Sequence, residues 1–267
     1  MLLTYRRLLP LGGGSNFRDL GGYPTESGLA IRRGDVFRSG AMSGLTPTDE
    51  TYLNQFGFKA VVDLRSREEI ALFPNNWAQR CGIEIFRHDY SIEEIVEATN
   101  GFRNLDTRDR DYLALYRWLL EFAAPQFKIF FKLLLQGTTP VVINCSAGQD
   151  RTGIACALFL TALGVPEDWV VEDYLLSTDF RSPKNEIRGV DLADAAKDNA
   201  FATLMLGHHQ GRELSRPNPL LTSDGKPLIK FVLEKLRTDY GGIESYLSKV
   251  LKVNGRDVSL LRQCYLD

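Results

Sequence analysis

Cys145 and Arg151 are the residues of this chain whose types and spacing point most directly to chemistry. A short apolar, β-branched run at 141–143 precedes the cysteine and is typical of a buried strand. The apolar stretch 154–160 that follows the arginine predicts a helix, which ends near Gly164. The pattern is therefore a strand, a tight loop and a helix, with a thiol where the loop begins and a guanidinium where it ends.

This arrangement predicts the binding of a phosphate group. A loop that enters a helix N-terminus turns its backbone N–H groups toward one point, where the helix dipole adds positive potential. The guanidinium of Arg151 can hold two phosphate oxygens, and the same positive field favours the thiolate of Cys145. That thiolate can attack phosphorus and form a cysteinyl-phosphate, which water then hydrolyses without a metal. The predicted phosphate-binding residues are Ser146, Ala147, Gly148, Gln149, Asp150 and Arg151.

A phosphate ester also needs an acid that protonates the leaving oxygen. Asp150 is the first candidate for this general acid, and Asp89, at the end of a predicted strand, is the competing one. Asp63 and Arg65 are expected to form an internal ion pair, although Asp63 can also face the cleft. Arg18 is expected to donate hydrogen bonds within the scaffold or to hold the phosphate loop.

Short strand-like runs alternate with helical patterns, which indicates an α/β sheet with crossover connections. Ligands of such sheets bind beyond the carboxyl ends of the strands, where Cys145, Asp63 and Asp89 are expected. Capping signals predict helices that begin at Thr46 and at Ser66. The predicted strands are 36–38, 59–64, 83–87 and 141–143, and further helices are predicted at 112–122, 125–136 and 166–177.

We expect one domain over residues 1–267, with two segments that interrupt its regular pattern. Residues 91–111 are polar and charged, so they predict an insertion beside the site. Residues 181–225 combine mixed charge, many helix breakers and one apolar island, and predict a second insertion. Residues 227–267 predict C-terminal helices.

Composition and charge limit the partners of the chain. Of its 267 residues 44% are hydrophobic, and the net charge of -2 gives no electrostatic case for binding nucleic acid or an anionic membrane. No apolar run approaches membrane-spanning length, and the N-terminus lacks the order of a signal peptide. The four cysteines show no paired spacing, so a reducing compartment is expected. Since no signal peptide is seen, we expect a cytoplasmic location, with secretion by another route left open. No metal-ligand cluster is visible, and we expect no metal and no cofactor.

Several motifs resemble those of the bacterial tyrosine/serine phosphatase family, the atypical branch of the cysteine-dependent phosphatases that includes a secreted mycobacterial enzyme. The resemblance implies a protein tyrosine phosphatase-like fold, in which a mostly parallel sheet is flanked by helices and 181–225 forms a helical lid. It implies a cysteine nucleophile with Asp150 and Arg151, supported by Thr152. The expected substrates are phosphotyrosine proteins or small phosphomonoesters, and a dual specificity that includes phosphoserine and phosphothreonine stays open. The motifs are Cys145-x5-Arg151-Thr152 and the segments 16–22, 36–39, 62–66 and 173–177.

Two positions depart from the family pattern. Asn144 stands before the cysteine where the family usually has His, and Gln149 stands where it often has Lys. An amide cannot carry charge, so both changes affect the activation of the thiol and the affinity for polyanions. Two alternatives follow: a catalytically weak pseudophosphatase that binds phosphate or phosphotyrosine, and a sulfurtransferase of the rhodanese type, which also uses a loop cysteine at a helix start.

Overall fold

A five-stranded sheet forms the centre of the fold in a computed structural model, which describes residues 7–100, 108–208 and 220–267. The strands lie in the order β1-β2-β5-β3-β4. Strand β1 is antiparallel to β2, and all other neighbours are parallel. The mostly parallel α/β sheet predicted from the sequence is confirmed. The strands are β1 Arg18–Asp19, β2 Val36–Ser39, β3 Ala60–Asp63, β4 Glu84–Arg87 and β5 Val141–Asn144.

Strand β5 lies in the middle of the sheet because its side chains can be buried on both faces. Residues 141–143 are β-branched and fully buried, and the strand pairs with β2 on one side and β3 on the other. The register places Asn144 between Ser39 and Asp63. Cys145 therefore lies directly after the carboxyl end of the central strand, at the edge where ligands of parallel sheets bind.

The helices cover both faces of the sheet, and the capping signals mark where two of them begin. Thr46 and Asp49 form a capping box at the start of α1, and Ser66 and Glu69 form one at the start of α2. The helices are α1 Pro47–Asn54, α2 Arg67–Leu72, α3 Asn76–Arg80, α4 Ile92–Asn100, α5 Arg108–Phe122, α6 Ala124–Leu135, α7 Asp150–Ala162, α8 Glu167–Phe180, α9 Pro183–Glu186, α10 Leu192–Ala195, α11 Ala200–His208, α12 Ile229–Thr238, α13 Ile243–Tyr246, which continues as a π-helical turn Leu247–Leu251, and α14 Gly255–Tyr265.

Helix α7 runs from the predicted phosphate loop through the main core. Its residues 152–160 are all buried, and it packs against α8 through Gly153. A Cβ atom on Gly153 would come within 2.8 Å of the Tyr174 ring, so a larger residue would push the two helices apart. The position of α8 relative to the loop therefore depends on this glycine.

The two predicted insertions contain helices. Residues 91–111 hold α4 and the start of α5, which begins at Arg108 rather than at the predicted residue 112; residues 101–107 lie outside the described residues. Residues 181–225 hold α9, α10 and α11, and residues of α10 and α11 form a small apolar cluster with Phe73 of the segment after α2. Residues 209–219 also lie outside the described residues. Among the described helices, none has the length and apolar content needed to cross a membrane.

Candidate active site

The loop that follows β5 contains a set of backbone N–H groups that have no acceptor among the residues that the structure describes. Cys145 is only 2% exposed, and α7 begins at Asp150. Within the described part of the chain, no acceptor is found for the N–H groups of residues 146–150. They lie at the N-terminal end of α7, where unpaired N–H groups and the helix dipole attract anions. The predicted cradle for a phosphate is therefore compatible with the backbone geometry.

The carbonyl groups of the same loop are held from behind. Asn16 Nδ2 donates to the Gly148 carbonyl at 2.9 Å and to the Ala147 carbonyl at 3.2 Å. Arg38 Nη2 donates to the Gly148 carbonyl at 2.6 Å, and the Ala41 N–H donates to the Ser146 carbonyl at 2.8 Å. Because these carbonyls point to the scaffold, the N–H groups of the loop remain available on the other side.

A buried ion cluster fixes the residues that hold the loop. Asp173 of α8 accepts from Arg18 Nε at 3.0 Å and from Arg38 Nη1 at 2.5 Å. Burial alone would raise the pKa of Asp173, but the charges of both arginines outweigh it and hold that pKa far below its usual range. Arg18 also donates to the side chain of Asn16, and none of its hydrogen bonds within the described residues goes to the loop. Arg18 is thus a scaffold donor, the first of its two predicted roles.

Arg151 is held by a buried carboxylate that lies outside the motif. Its Nη1 and Nη2 donate to Glu69 at 2.7 and 2.6 Å, and Nη1 also donates to the Tyr90 hydroxyl at 2.5 Å. Ser146 Oγ donates to the same carboxylate at 2.5 Å. Burial would raise the pKa of Glu69, but the charge and hydrogen bonds of Arg151 lower it to about 2. The guanidinium is therefore oriented before any substrate binds.

The two candidate general acids lie in different surroundings. Asp150 is half-buried at the start of α7, and its Oδ1 accepts a hydrogen bond from the Tyr116 hydroxyl. Asp89 is 65% exposed and pairs with Arg67 on the surface at 3.4 Å. Among the described contacts of Asp89, none reaches the loop, so the geometry favours Asp150.

Asp63 and Asn144 lie behind the loop. Arg65 Nε and Nη2 donate to the two oxygens of Asp63 at 2.8 and 2.6 Å, which is the predicted internal ion pair. Asn144 Nδ2 lies 3.4 Å from Asp63 Oδ1, and its buried Oδ1 has no partner in the described part of the chain. The buried Oγ1 of Thr152 likewise has no described partner. Asp63 is engaged with Arg65 and does not face the cleft as a free acid.

Arg181 adds a second guanidinium at the loop. Its Nη1 donates to Gln149 Oε1 at 2.6 Å, and its remaining nitrogens pair with Glu186 at 2.9 to 3.0 Å. It lies within electrostatic range of both Cys145 and Asp150. The side chain of Gln149 thus contacts a cation, although it does not carry the positive charge of the Lys that the family often has there.

Sequence reasoning did not identify several residues of the site. The capping box assigned Glu69 only to the start of a helix. No sequence signal distinguished Tyr90, Tyr116 or Arg181 from ordinary core or surface residues. In the described residues, no group of three or more His, Cys, Asp or Glu side chains is placed to hold a metal ion.

A sequence profile described as the tyrosine phosphatase family matches residues 9–267. The chain belongs to this family. Relatives include the tyrosine-protein phosphatase of Nostoc commune, which is 27% identical over 252 residues, or 90% of this chain and 76% of that protein. The triple specificity protein phosphatase PtpB of Mycobacterium tuberculosis is 28% identical over 207 residues, or 63% of this chain and 68% of that protein.

Among solved structures, the core catalytic domain of the PP-IP phosphatase Siw14 from S. cerevisiae is 13% identical, with a TM-score of 0.37 over 75% of this chain and 86% of that chain. Membership of the tyrosine phosphatase family confirms the resemblance found in the sequence and identifies the chain as a phosphatase that acts on phosphorylated substrates.

Proposed function

We propose that this tyrosine phosphatase family member hydrolyses phosphotyrosine in proteins through a cysteinyl-phosphate on Cys145. The observation that carries the proposal is the loop itself. The N–H groups of residues 146–150 have no acceptor in the described chain, and they belong to the segment that joins Cys145 to the start of α7. Arg151, held by Glu69, completes a positively charged cradle for three phosphate oxygens.

In the first step, the Cys145 thiolate attacks phosphorus opposite the ester oxygen. The S–P bond forms as the P–O bond breaks, and Arg151 and the loop amides stabilise the charge on the equatorial oxygens. Asp150 donates its proton to the leaving phenolate oxygen. The alcohol product leaves, and the phosphoryl group stays on the sulfur.

In the second step, a water molecule attacks the phosphorus of the cysteinyl-phosphate. The Asp150 carboxylate accepts a proton from this water, so that the residue returns to its protonated form. The S–P bond breaks, the Cys145 thiolate is restored and inorganic phosphate is released. The positive charges of Arg151 and Arg181, both within electrostatic range of Cys145, favour the thiolate as leaving group.

The depth of Cys145 supports phosphotyrosine as the substrate class. Cys145 is only 2% exposed, so a phosphate group that reaches its sulfur must be carried on an extended arm. The phenyl ring of phosphotyrosine supplies such an arm, whereas phosphoserine is several ångströms shorter. We expect kcat/KM for a phosphotyrosine peptide to exceed that for the matched phosphoserine peptide by at least about tenfold. Equal values for the two peptides would contradict this assignment.

The mechanism is tested by the hydrolysis of 4-nitrophenyl phosphate with and without EDTA. We expect turnover that EDTA does not change and that Cys145→Ser lowers by about a thousandfold or more, because the hydroxyl is a far weaker nucleophile. Cys264→Ser, at an exposed cysteine, is the matched control and should keep wild-type activity. Turnover that survives in Cys145→Ser would overturn the proposal.

Asn144 favours a second candidate function, a phosphate-binding protein with weak turnover. Its buried Oδ1 lacks a described partner, and its amide cannot carry the charge of the family's histidine. The same assay separates the two functions. Phosphate binding without turnover in the wild type, with turnover gained in Asn144→His beside the Asp63 carboxylate, would establish this candidate instead.

A further inference from the structure

A buried tyrosine contacts the proposed general acid. Tyr116 lies on α5 and is fully buried, and its hydroxyl donates a hydrogen bond to Asp150 Oδ1. The same hydroxyl lies 2.5 Å from the hydroxyl of Tyr174 on α8. Residues on three helices, α5, α7 and α8, are therefore joined in one chain of hydrogen bonds that ends at this carboxylate.

The number of protons fixes the direction of these hydrogen bonds. Tyr116 has a single hydroxyl proton, which it donates to Asp150, so Tyr174 is the donor in the contact between the two tyrosines. Burial and then the charge of Asp150 raise the pKa of Tyr116 well above its ordinary value, so the phenol keeps its proton. With Oδ1 occupied as an acceptor, Oδ2 is the oxygen of Asp150 that can carry a proton for transfer.

We propose that Tyr116 is a positioning residue for Asp150, which orients the carboxyl group so that Oδ2 delivers the proton to the leaving oxygen. This inference rests on the proposed role of Asp150 as the general acid. The phenol is held in place because Leu119 and Leu120 anchor α5 in the main core. A rigid ring that presents one donor to one oxygen restricts the rotation of the carboxyl group about its χ2 torsion.

A tyrosine that only fills space in the core would affect all substrates alike, whereas a positioning role depends on the leaving group. The 4-nitrophenolate ion is a weak base and departs without a proton. The phenolate ion is a stronger base and needs protonation as the P–O bond breaks. Loss of the orientation of Asp150 should therefore slow phenyl phosphate far more than 4-nitrophenyl phosphate.

The experiment compares Tyr116→Phe, Asp150→Asn and the double variant on both esters. We expect Tyr116→Phe to lower kcat/KM for phenyl phosphate about tenfold and for 4-nitrophenyl phosphate by less than about twofold. In the Asp150→Asn background, Tyr116→Phe should cause no further loss of kcat/KM, because the asparagine has no acidic proton that Tyr116 could position. Tyr246→Phe is the matched control: its buried hydroxyl donates to the Leu120 carbonyl of α5 at 2.7 Å, and its removal should show no selectivity between esters.

Equal losses on the two esters, or losses that add to those of Asp150→Asn, would show that Tyr116 acts only in packing. If Tyr116→Phe does not fold, Tyr174→Phe gives a second reading, since it removes the donor to Tyr116 and should cause a smaller, equally selective loss. Failure of the proposed function is distinguishable, because Asp150→Asn itself would then show no preference between the esters. If Asp150→Asn slows phenyl phosphate more than 4-nitrophenyl phosphate, whereas Tyr116→Phe and Tyr174→Phe slow both esters equally, the role of Tyr116 is overturned and the proposed function stands.

Discussion

The Glu69 carboxylate serves two structures at once. It accepts the Ser66 N–H at 2.8 Å in the capping box of α2, and it also accepts both Nη groups of Arg151 and the Ser146 hydroxyl. A buried carboxylate that forms this many charge-assisted hydrogen bonds determines the orientation of its partner. The direction of the Arg151 guanidinium at the proposed phosphate site thus depends on a residue 82 positions away in the chain.

Replacement of Glu69 by Gln tests this dependence. Gln keeps the shape and one acceptor but loses the charge and the two parallel bonds to Arg151, so we expect kcat/KM on 4-nitrophenyl phosphate to fall about tenfold to a hundredfold. Glu68→Gln is the control, because this neighbouring carboxylate accepts the Ile92 N–H at 2.8 Å and makes no described bond to Arg151. Wild-type kinetics for Glu69→Gln would show that Arg151 is oriented by other groups.

At the scale of elements, the connection between β5 and α7 is shaped by close packing against the end of β2. Gly148 has φ +65°, and a Cβ atom there would come within 2.6 Å of the Ser39 carbonyl oxygen. Glycine is thus required both by conformation and by space. The close approach places the Gly148 carbonyl where Asn16 and Arg38 can hold it, so that the scaffold fixes the shape of the loop.

The two requirements can be separated by comparing Gly148→Ala with Gly137→Ala. Gly137 also has a positive φ, +67°, but nothing lies within 4 Å of a Cβ atom added there. Gly137→Ala should cost about 1 kcal/mol of unfolding free energy and leave activity intact. Gly148→Ala should cost about 2–4 kcal/mol in urea unfolding and lower kcat at least about a hundredfold. Equal effects of the two variants would show that the contact with β2 is unimportant.

At the scale of the whole molecule, buried ion pairs join parts that are distant in the chain. Asp173 connects α8 to β1 and β2 through Arg18 and Arg38, and Glu69 connects α2 to α7 through Arg151. The loss of one partner from such a pair leaves an uncompensated buried charge. These pairs make the stability of the fold sensitive to acid, because both carboxylates have lowered pKa values in the folded chain.

The direction of this pH dependence follows from the shifts. The pKa of Glu69 falls from 4.5 to about 2 on folding, so its contribution is complete above 4.5 and is lost as the pH falls toward 2. Asp173 adds to the loss below its ordinary value of 3.8. The unfolding free energy is measured in urea from about pH 7 to about 2.5 for the wild type and for Glu69→Gln. Over this range we expect it to fall by about 3 kcal/mol less in Glu69→Gln than in the wild type. Asp194→Asn, at an exposed pair, should keep the wild-type dependence, and an unchanged slope in Glu69→Gln would refute the assignment.

Much of the fold follows from local signals. The β-branched run 141–143, the Ser66 capping box and the glycine stop after α7 each depend on residues adjacent in the chain, and each prediction is confirmed. The sequence predicts that α5 begins at residue 112, whereas the helix begins at Arg108. The charged residues 108–111 are typical of a surface loop, which is why the prediction starts too late. Helix boundaries of this kind depend on packing rather than on propensity.

What the sequence alone determined is the strand, loop and helix that form the proposed phosphate site, because the spacing of Cys145 and Arg151 between a strand and a helix is a property of one continuous segment. The tertiary structure decided which partners act on that loop. Tyr116 reaches Asp150 across 34 residues, and Arg38 reaches Gly148 across 110. The tertiary structure also places Asp89 on the surface and places Asp150 in contact with the buried hydroxyl of Tyr116. Contacts between distant segments depend on how the helices pack against the sheet, and no local pattern encodes that packing.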